Sequence, residues 1–184
     1  MKKLGKIAII DYRMSNIYSI NNALDKLGFK CIVSSKKKEI LSSDGAVLPG
    51  VGSFPEAINH LNKLELIEPI KDFILTGKPF MGICLGLQLL FSKSEEFGFT
   101  KGLEIINGSV INFRREPQIQ IVPHVGWNKI YMNNENIQNK KDPLINISSE
   151  EYFYFVHSFY VKPNNNNVSK TYTEYNGFRF CSSI

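Results

Sequence analysis

Apolar positions in the first half of the chain follow two alternating rhythms. Short, nearly continuous apolar runs at residues 6–10 (KIAII), 29–34 (FKCIVS) and 45–48 (GAVL) have the length and continuity of strands buried on both faces. Between the first two, Ile17, Ile20, Ala23, Leu24 and Leu27 recur at helical spacing, with Ser15 or Asn16 able to cap the start and Gly28 to stop the end. A short helical turn is predicted over 39–41, and helices over 54–64 and 67–75. Strand–helix–strand alternation with short connections predicts an α/β fold: a parallel central sheet with helices on both faces. In such sheets ligands collect at the carboxyl ends of the strands.

From Leu103 the rhythm changes. LEIINGSVINF places two β-prone runs around Asn107-Gly108, which predicts a hairpin. A further β segment surrounds 125–131, and YFYFVHSFYV over 152–161 reads as a buried strand. A last hairpin is expected from 171–175 and 178–182 around Asn176-Gly177. A β-rich second half is therefore expected to continue one sheet, in a single domain over 1–184.

Composition changes this picture little. With 184 residues, 43% hydrophobic and 21% charged, the chain can bury a real core without staples, and nothing suggests disorder at large. Its three cysteines, Cys31, Cys84 and Cys181, form neither a disulfide framework nor a C-x-x-C metal pattern, which points to a reducing cytoplasm. The four-residue apolar run before Asp11 is too short for a signal peptide, and no run reaches membrane-spanning length. The net charge of +5 is scattered apart from Lys36-Lys37-Lys38, so no nucleic-acid site is inferred.

The stretch that carries chemistry is KPFMGICLGLQLL, residues 78–90. A short β-prone run leads into Cys84, and an apolar helical pattern (Leu85, Leu87, Leu89, Leu90, Phe91) follows. Gly82-Ile83-Cys84-Leu85-Gly86 has the G-x-nucleophile-x-G spacing of a nucleophile elbow, where side chains two positions either side would collide with backbone. A helix N-terminus beneath the sulfur is expected to lower the thiol pKa, and the Leu85 N–H to face a developing oxyanion. After the third strand, Pro49-Gly50-Val51-Gly52-Ser53-Phe54 leaves backbone N–H groups free to approach a ligand. On these residues alone, a structural cysteine competes evenly with a catalytic one. His124 and His157 stand in apolar or aromatic settings and read as hydrogen-bonded structural histidines, while His60 reads as a surface residue.

Taken together and in order, PGVGSF, GICLGLQLL, PHVGWN and YFVHSF resemble the class I (triad) glutamine amidotransferases over residues 7–184. Within them, PHVGWN and YFVHSF resemble the glutaminase subunit of imidazole glycerol phosphate synthase, from histidine biosynthesis. The resemblance implies a flavodoxin-like sheet and hydrolysis of L-glutamine to glutamate and ammonia, without a cofactor or metal. The ammonia passes to a (β/α)8-barrel cyclase partner in a heterodimer. It implies that Cys84 forms a glutamyl thioester, that Leu85 and the Gly50–Val51 segment serve the oxyanion, and that Gly52, Gln88, Ser158 and Phe159 hold the glutamine. Asn16, Trp127 and Tyr154 fall at positions near the partner.

The sequence departs from that pattern twice. The family draws its triad His and Glu from a late His-Pro-Glu motif, which these 184 residues lack. The expectation is a chain truncated before it, ending at a buried strand edge and with little or no glutaminase activity. The loop after the first strand, usually Asp-Tyr-Gly-x-Gly-Asn, reads Asp11-Tyr12-Arg13-Met14-Ser15-Asn16, which makes any φ > 0 there costly. Two alternatives follow: an ammonia-supplying paralogue for surface-sugar amidation, or a catalytically dead docking subunit.

Overall fold

A computed structural model describes residues 5–133, 143, 144 and 146–184. The described chain forms two compact units, the first reaching Ser92 and including Thr100–Ile105, the second comprising Lys93–Phe99 and the described residues from Ile106 to Ile184. In the first unit the elements run β1 (Lys6–Ile10), α1 (Ile17–Lys26), β2 (Lys30–Ser34), α2 (Lys37–Leu41), β3 (Gly45–Leu48), α3 (Phe54–Lys63), α4 (Ile67–Leu75), β4 (Phe80–Gly82) and α5 (Leu85–Leu89). Strands lie in the order β2-β1-β3-β4, all parallel, as the alternating pattern predicts. Ala8, Ile9, Ile10, Val47 and Leu48 fill the sheet's core. Full burial of an Ile or Leu side chain contributes roughly 1.5–3 kcal/mol.

Helix α3 buries Phe54, Ala57 and Leu61, three positions on one helical face, with Pro55 tolerated in its first turn. Helix α1 behaves differently. Its apolar positions repeat at helical spacing, yet none is buried, and Leu27, just past its end, is 66% exposed. What starts this helix is local: the Asn16 side chain accepts the Ser19 N–H at 3.3 Å.

The elbow helix is shorter than its apolar pattern predicts. It stops at Leu89, and Phe91, the last position of that pattern, begins a strand. The cause lies in the returning chain: N–H groups of Leu103, Ile105 and Glu104 donate to the carbonyls of Leu89, Leu90 and Phe91 at 2.9, 2.9 and 3.3 Å. Those carbonyls are thereby satisfied without further helix.

The chain crosses between the units through β5 (Phe91–Ser94) and β6 (Thr100–Lys101). The second unit then runs β7 (Ile106–Asn112), β8 (His124–Lys129), β9 (Tyr131–Met132), β10 (Tyr152–His157), β11 (Phe159–Pro163), β12 (Thr171–Tyr175) and β13 (Phe178–Ser183), with 3-10 turns at Phe113–Arg115 and Asn166–Val168. Strands β7-β11-β13-β12-β9 lie side by side antiparallel, and β8 pairs with β10 alone. The second half therefore does not continue the parallel sheet. Phe113, Ile119, Tyr160 and Phe180 form its buried cluster, flanked by Phe155, Tyr175 and Phe178.

Three expectations are corrected here. Asn107-Gly108 makes no hairpin, because both residues lie within β7, where Gly108 pairs with Pro163 of β11 and the partner strand overrides the local turn preference. Residues 152–161 break at Ser158, and the first half is not buried: Tyr152, Tyr154 and Val156 are exposed, because β10 has only β8 beside it. The last strand is not an edge, since β13 lies between β11 and β12. The hairpin at Asn176-Gly177 forms as predicted, with φ +48° and +75° at its two turn residues.

Candidate active site

The elbow is built by backbone proximity. Gly82 ends β4 beside Leu48 of β3, and the next N–H, of Ile83, donates to the Leu48 carbonyl at 3.0 Å. The chain then reverses at Cys84, which adopts φ +54° and ψ −114°. For a residue with a Cβ that conformation costs on the order of 1–3 kcal/mol and persists only where the surroundings impose it. The glycines explain how they do. A Cβ on Gly82 stands 2.8 Å from the Gly86 carbonyl oxygen and 2.9 Å from the Leu87 nitrogen. One on Gly86 overlaps the Leu48 carbonyl oxygen and stands 2.8 Å from its carbon. Strand and helix thus meet backbone to backbone, lifting Cys84 to the surface at the carboxyl end of the sheet.

Cys31 is half-buried and Cys181 buried, so Cys84 is the exposed thiol of the three. Protein packed around it nevertheless pushes its pKa above the ordinary thiol value, and the Leu85 N–H bonded to the sulfur pulls the other way. This reverses the expected thiolate-favouring helix terminus. Helix α5 has only five residues, and desolvation outweighs what its N-terminus supplies.

The PGVG loop packs against the elbow. A Cβ on Gly50 stands 2.9 Å from Leu85 Cβ and 3.0 Å from the Gly86 nitrogen, so only glycine lets the loop lie this close. Gly52 holds φ +95°, and Val51 is 54% exposed. The Val51 N–H donates to the Met14 carbonyl at 3.0 Å, so in this structure it is directed at the 11–16 loop. That loop confirms the cost foreseen for it: Arg13 stands at φ +69°, with its N–H held by the Asp11 carboxylate at 2.9 Å.

Two residues here make contacts that the sequence does not signal. Tyr12 is fully buried, and its hydroxyl has no hydrogen-bond partner among the described residues. Burial and the neighbouring Cys84 both raise its pKa. His60, expected at the surface, is half-buried, and its Nδ1 lies 3.1 Å from the Tyr12 carbonyl, to which it donates. A lone histidine on an amphipathic helix gives no hint of that bond.

In the first unit the structure thus brings together Cys84, Leu85, Gly50, Val51 and Gly52, with Gln88 half-buried on α5 one turn beyond the nucleophile. Asn16 caps α1. In the second unit Ser158 and Phe159 form the joint between β10 and β11. The Ser158 carbonyl accepts the Phe113 N–H at 3.0 Å, and Phe159 pairs with Asn112. Trp127 and Tyr154 face each other across β8 and β10 with ring centres 5.7 Å apart, 70% and 56% exposed. Among the described residues no group of three His, Cys, Asp or Glu is arranged to hold a metal, and no helix is long and apolar enough to cross a membrane.

Residues 8–182 match the family Glutamine amidotransferase class-I. The chain is 44% identical to the imidazole glycerol phosphate synthase subunit HisH of Synechococcus elongatus over 164 residues, 89% of this chain and 72% of that protein. It is 48% identical to the same subunit of Nostoc punctiforme over 157 residues (85% and 72%), and 38% identical to that of Geobacter metallireducens over 185 residues (98% and 85%). Among solved structures, a glutamine amidotransferase superposes with a TM-score of 0.66 at 11% identity, covering 91% of this chain and 84% of the other. A glutamine amidotransferase of Thermotoga maritima gives 0.61 at 13% identity, covering 97% and 74%. At such identities the superpositions speak for the fold, which is the α/β architecture read from the sequence. With the elbow in place and the match running nearly end to end, the chain belongs to the class-I glutamine amidotransferase family.

Proposed function

We propose that the chain is the glutaminase subunit of an imidazole glycerol phosphate synthase, acting in the cytoplasm and delivering ammonia to a (β/α)8-barrel cyclase. The observation that carries this reading is the strained, exposed Cys84 at the end of β4, locked by Gly82 and Gly86. The relatives named above are imidazole glycerol phosphate synthase subunits HisH.

In this reading the Cys84 sulfur attacks the side-chain amide carbon of glutamine. The thiol proton passes to the amide nitrogen, which leaves as ammonia, and water then hydrolyses the thioester to glutamate and returns a proton to the sulfur. The Leu85 N–H, already directed at the sulfur, serves the oxyanion that forms beside it. A second donor from the Gly50–Val51 segment requires the Val51 N–H to leave the Met14 carbonyl. By resemblance to the family, Gly52 and Gln88 of the first unit and Ser158 and Phe159 of the second are the residues assigned to glutamine. Both proton transfers need a base. His60 is committed to the Tyr12 carbonyl, and His124 and His157 are bonded to each other, so none of the three is assigned that role.

The exposed Trp127–Tyr154 pair of the second unit and Asn16 of the first are each assigned to the cyclase. Large exposed aromatics of this kind are typical interface anchors. The reading is tested by mixing the chain with a (β/α)8-barrel cyclase subunit and following the complex by size-exclusion chromatography. A one-to-one complex lost in Trp127→Ala supports it. Coelution that Trp127→Ala leaves intact removes the assigned surface, and no complex at all removes this partner.

A further inference from the structure

Two histidines that the proposed chemistry does not use stand in direct contact. His124 of β8 and His157 of β10 are register partners, and His124 Nδ1 lies 3.1 Å from His157 Nε2. His157 Nδ1 lies 2.8 Å from the Phe159 carbonyl oxygen, and the Asn128 side-chain nitrogen 3.3 Å from His124 Nε2. That same nitrogen donates to the Glu174 carbonyl at 2.8 Å, while the Asn128 side-chain oxygen accepts the Lys129 N–H at 2.8 Å.

These contacts fix every proton. A carbonyl only accepts, so His157 carries its hydrogen on Nδ1 and offers a lone pair at Nε2. His124 must then carry its hydrogen on Nδ1, which leaves its Nε2 to accept from the Asn128 amide. The bonds all point one way, from Asn128 through His124 and His157 to the Phe159 carbonyl. A proton added to either ring sets two donors face to face, so the chain of bonds exists only with both rings neutral. The surroundings favour that state. His124 is 3% exposed and stacks on Tyr175 with ring centres 4.1 Å apart, and Phe113 sits edge-on to His157 at 5.0 Å. Burial lowers the pKa of both rings.

We infer that His124 and His157 are positioning residues: a neutral, one-way hydrogen-bond relay that fixes the Ser158–Phe159 joint from the β8–β10 pair. The inference rests on the reading of Ser158 and Phe159 as the segment that holds glutamine. That joint is also held by the Phe113 N–H on the Ser158 carbonyl and by β7. The relay adds a second hold on it, and it begins one residue from Trp127, which is assigned to the partner.

The test uses the whole chain, labelled with nitrogen-15 in its histidines. Long-range nitrogen–proton spectra at pH 7 are expected to show both rings neutral and protonated at Nδ1. Rings protonated at Nε2, or charged, overturn the relay. Glutamine affinity is then measured by calorimetry for wild type, His124→Phe and His124→Asn. His124→Phe keeps the stacking but removes the donor, and is expected to weaken glutamine binding about 5- to 10-fold, the usual effect of one lost hydrogen bond. His124→Asn restores a donor and is expected to stay within about twofold. Wild-type affinity in His124→Phe overturns the positioning role. Absence of glutamine binding by wild type, with the tautomers as assigned, counts against the Ser158–Phe159 reading and leaves the relay standing.

Discussion

Alanine in a helix ordinarily stabilises relative to glycine by about 1 kcal/mol. Gly86 lies within α5, so propensity alone predicts that Gly86→Ala strengthens the protein. The structure predicts the opposite. The new methyl group overlaps the Leu48 carbonyl oxygen and stands 2.8 Å from the Leu48 carbonyl carbon. That carbonyl cannot retreat freely, because it accepts the Ile83 N–H at 3.0 Å and belongs to a strand paired on both sides, with β1 and β4. Relief requires breaking that hydrogen bond, worth about 1 kcal/mol, and accepting overpacking of roughly 1–3 kcal/mol. Set against the propensity gain of about 1 kcal/mol, the net loss is about 1–3 kcal/mol, or roughly 2–12 °C in melting temperature for a chain of this size. Gly77→Ala is the control, since a methyl group there meets nothing within 4 Å and only its φ of +70° is penalised. That substitution is expected to cost about 1 kcal/mol. Denaturant unfolding of the three proteins decides the matter. Gly86→Ala as stable as wild type, or more stable than Gly77→Ala, refutes the contact argument for the elbow.

Arg13→Gly relieves the φ of +69° while keeping the backbone N–H bond to Asp11, and is expected to stabilise by about 0.5–1 kcal/mol; a lower melting temperature contradicts this. Acid is expected to weaken the second unit. Its buried histidines have folded pKa values below the unfolded one, so the unfolded chain takes up the proton first. Their contribution is complete above about pH 6.5 and is lost as the pH falls towards about 4, the value of His124. His124 alone accounts for up to about 3 kcal/mol. Stability that is flat over this range by denaturant unfolding contradicts the burial argument. Alkylation of Cys84 by iodoacetamide is expected to accelerate as the pH climbs through 9 and beyond, because its thiol is raised from the ordinary value of 9.0. A rate already level at pH 7 shows a stabilised thiolate instead.

What could be read from residues alone was what repeats or what spacing compels. Apolar runs of strand length and a helical apolar face place β1 to β4, α3 and α4, and the G-x-C-x-G spacing gives the elbow, since only glycines survive where β4 and α5 meet. The Asn176-Gly177 turn was legible because both residues take the positive φ that the turn demands. Asn107-Gly108 carries the same signal, but its partner strand β11 comes from residues more than fifty positions away, which no local pattern reveals. The early end of α5 has the same kind of cause, in carbonyls satisfied by the returning residues 103–105. The thiol pKa runs against the sequence expectation because a helix terminus is visible in sequence and desolvation is not. Likewise the His124–His157 contact depends on strand register, so two separate motifs each gave only a structural histidine.

The central claim is that the strained thiol at the elbow receives glutamine. It is tested most directly by treating the 184-residue chain with a thiol-directed glutamine analogue, with and without excess L-glutamine, and mapping the adduct by peptide mass spectrometry. The account predicts one adduct, on Cys84, that glutamine suppresses and Cys84→Ser abolishes. Modification spread over Cys31 and Cys181, or labelling of Cys84 that glutamine leaves untouched, contradicts it.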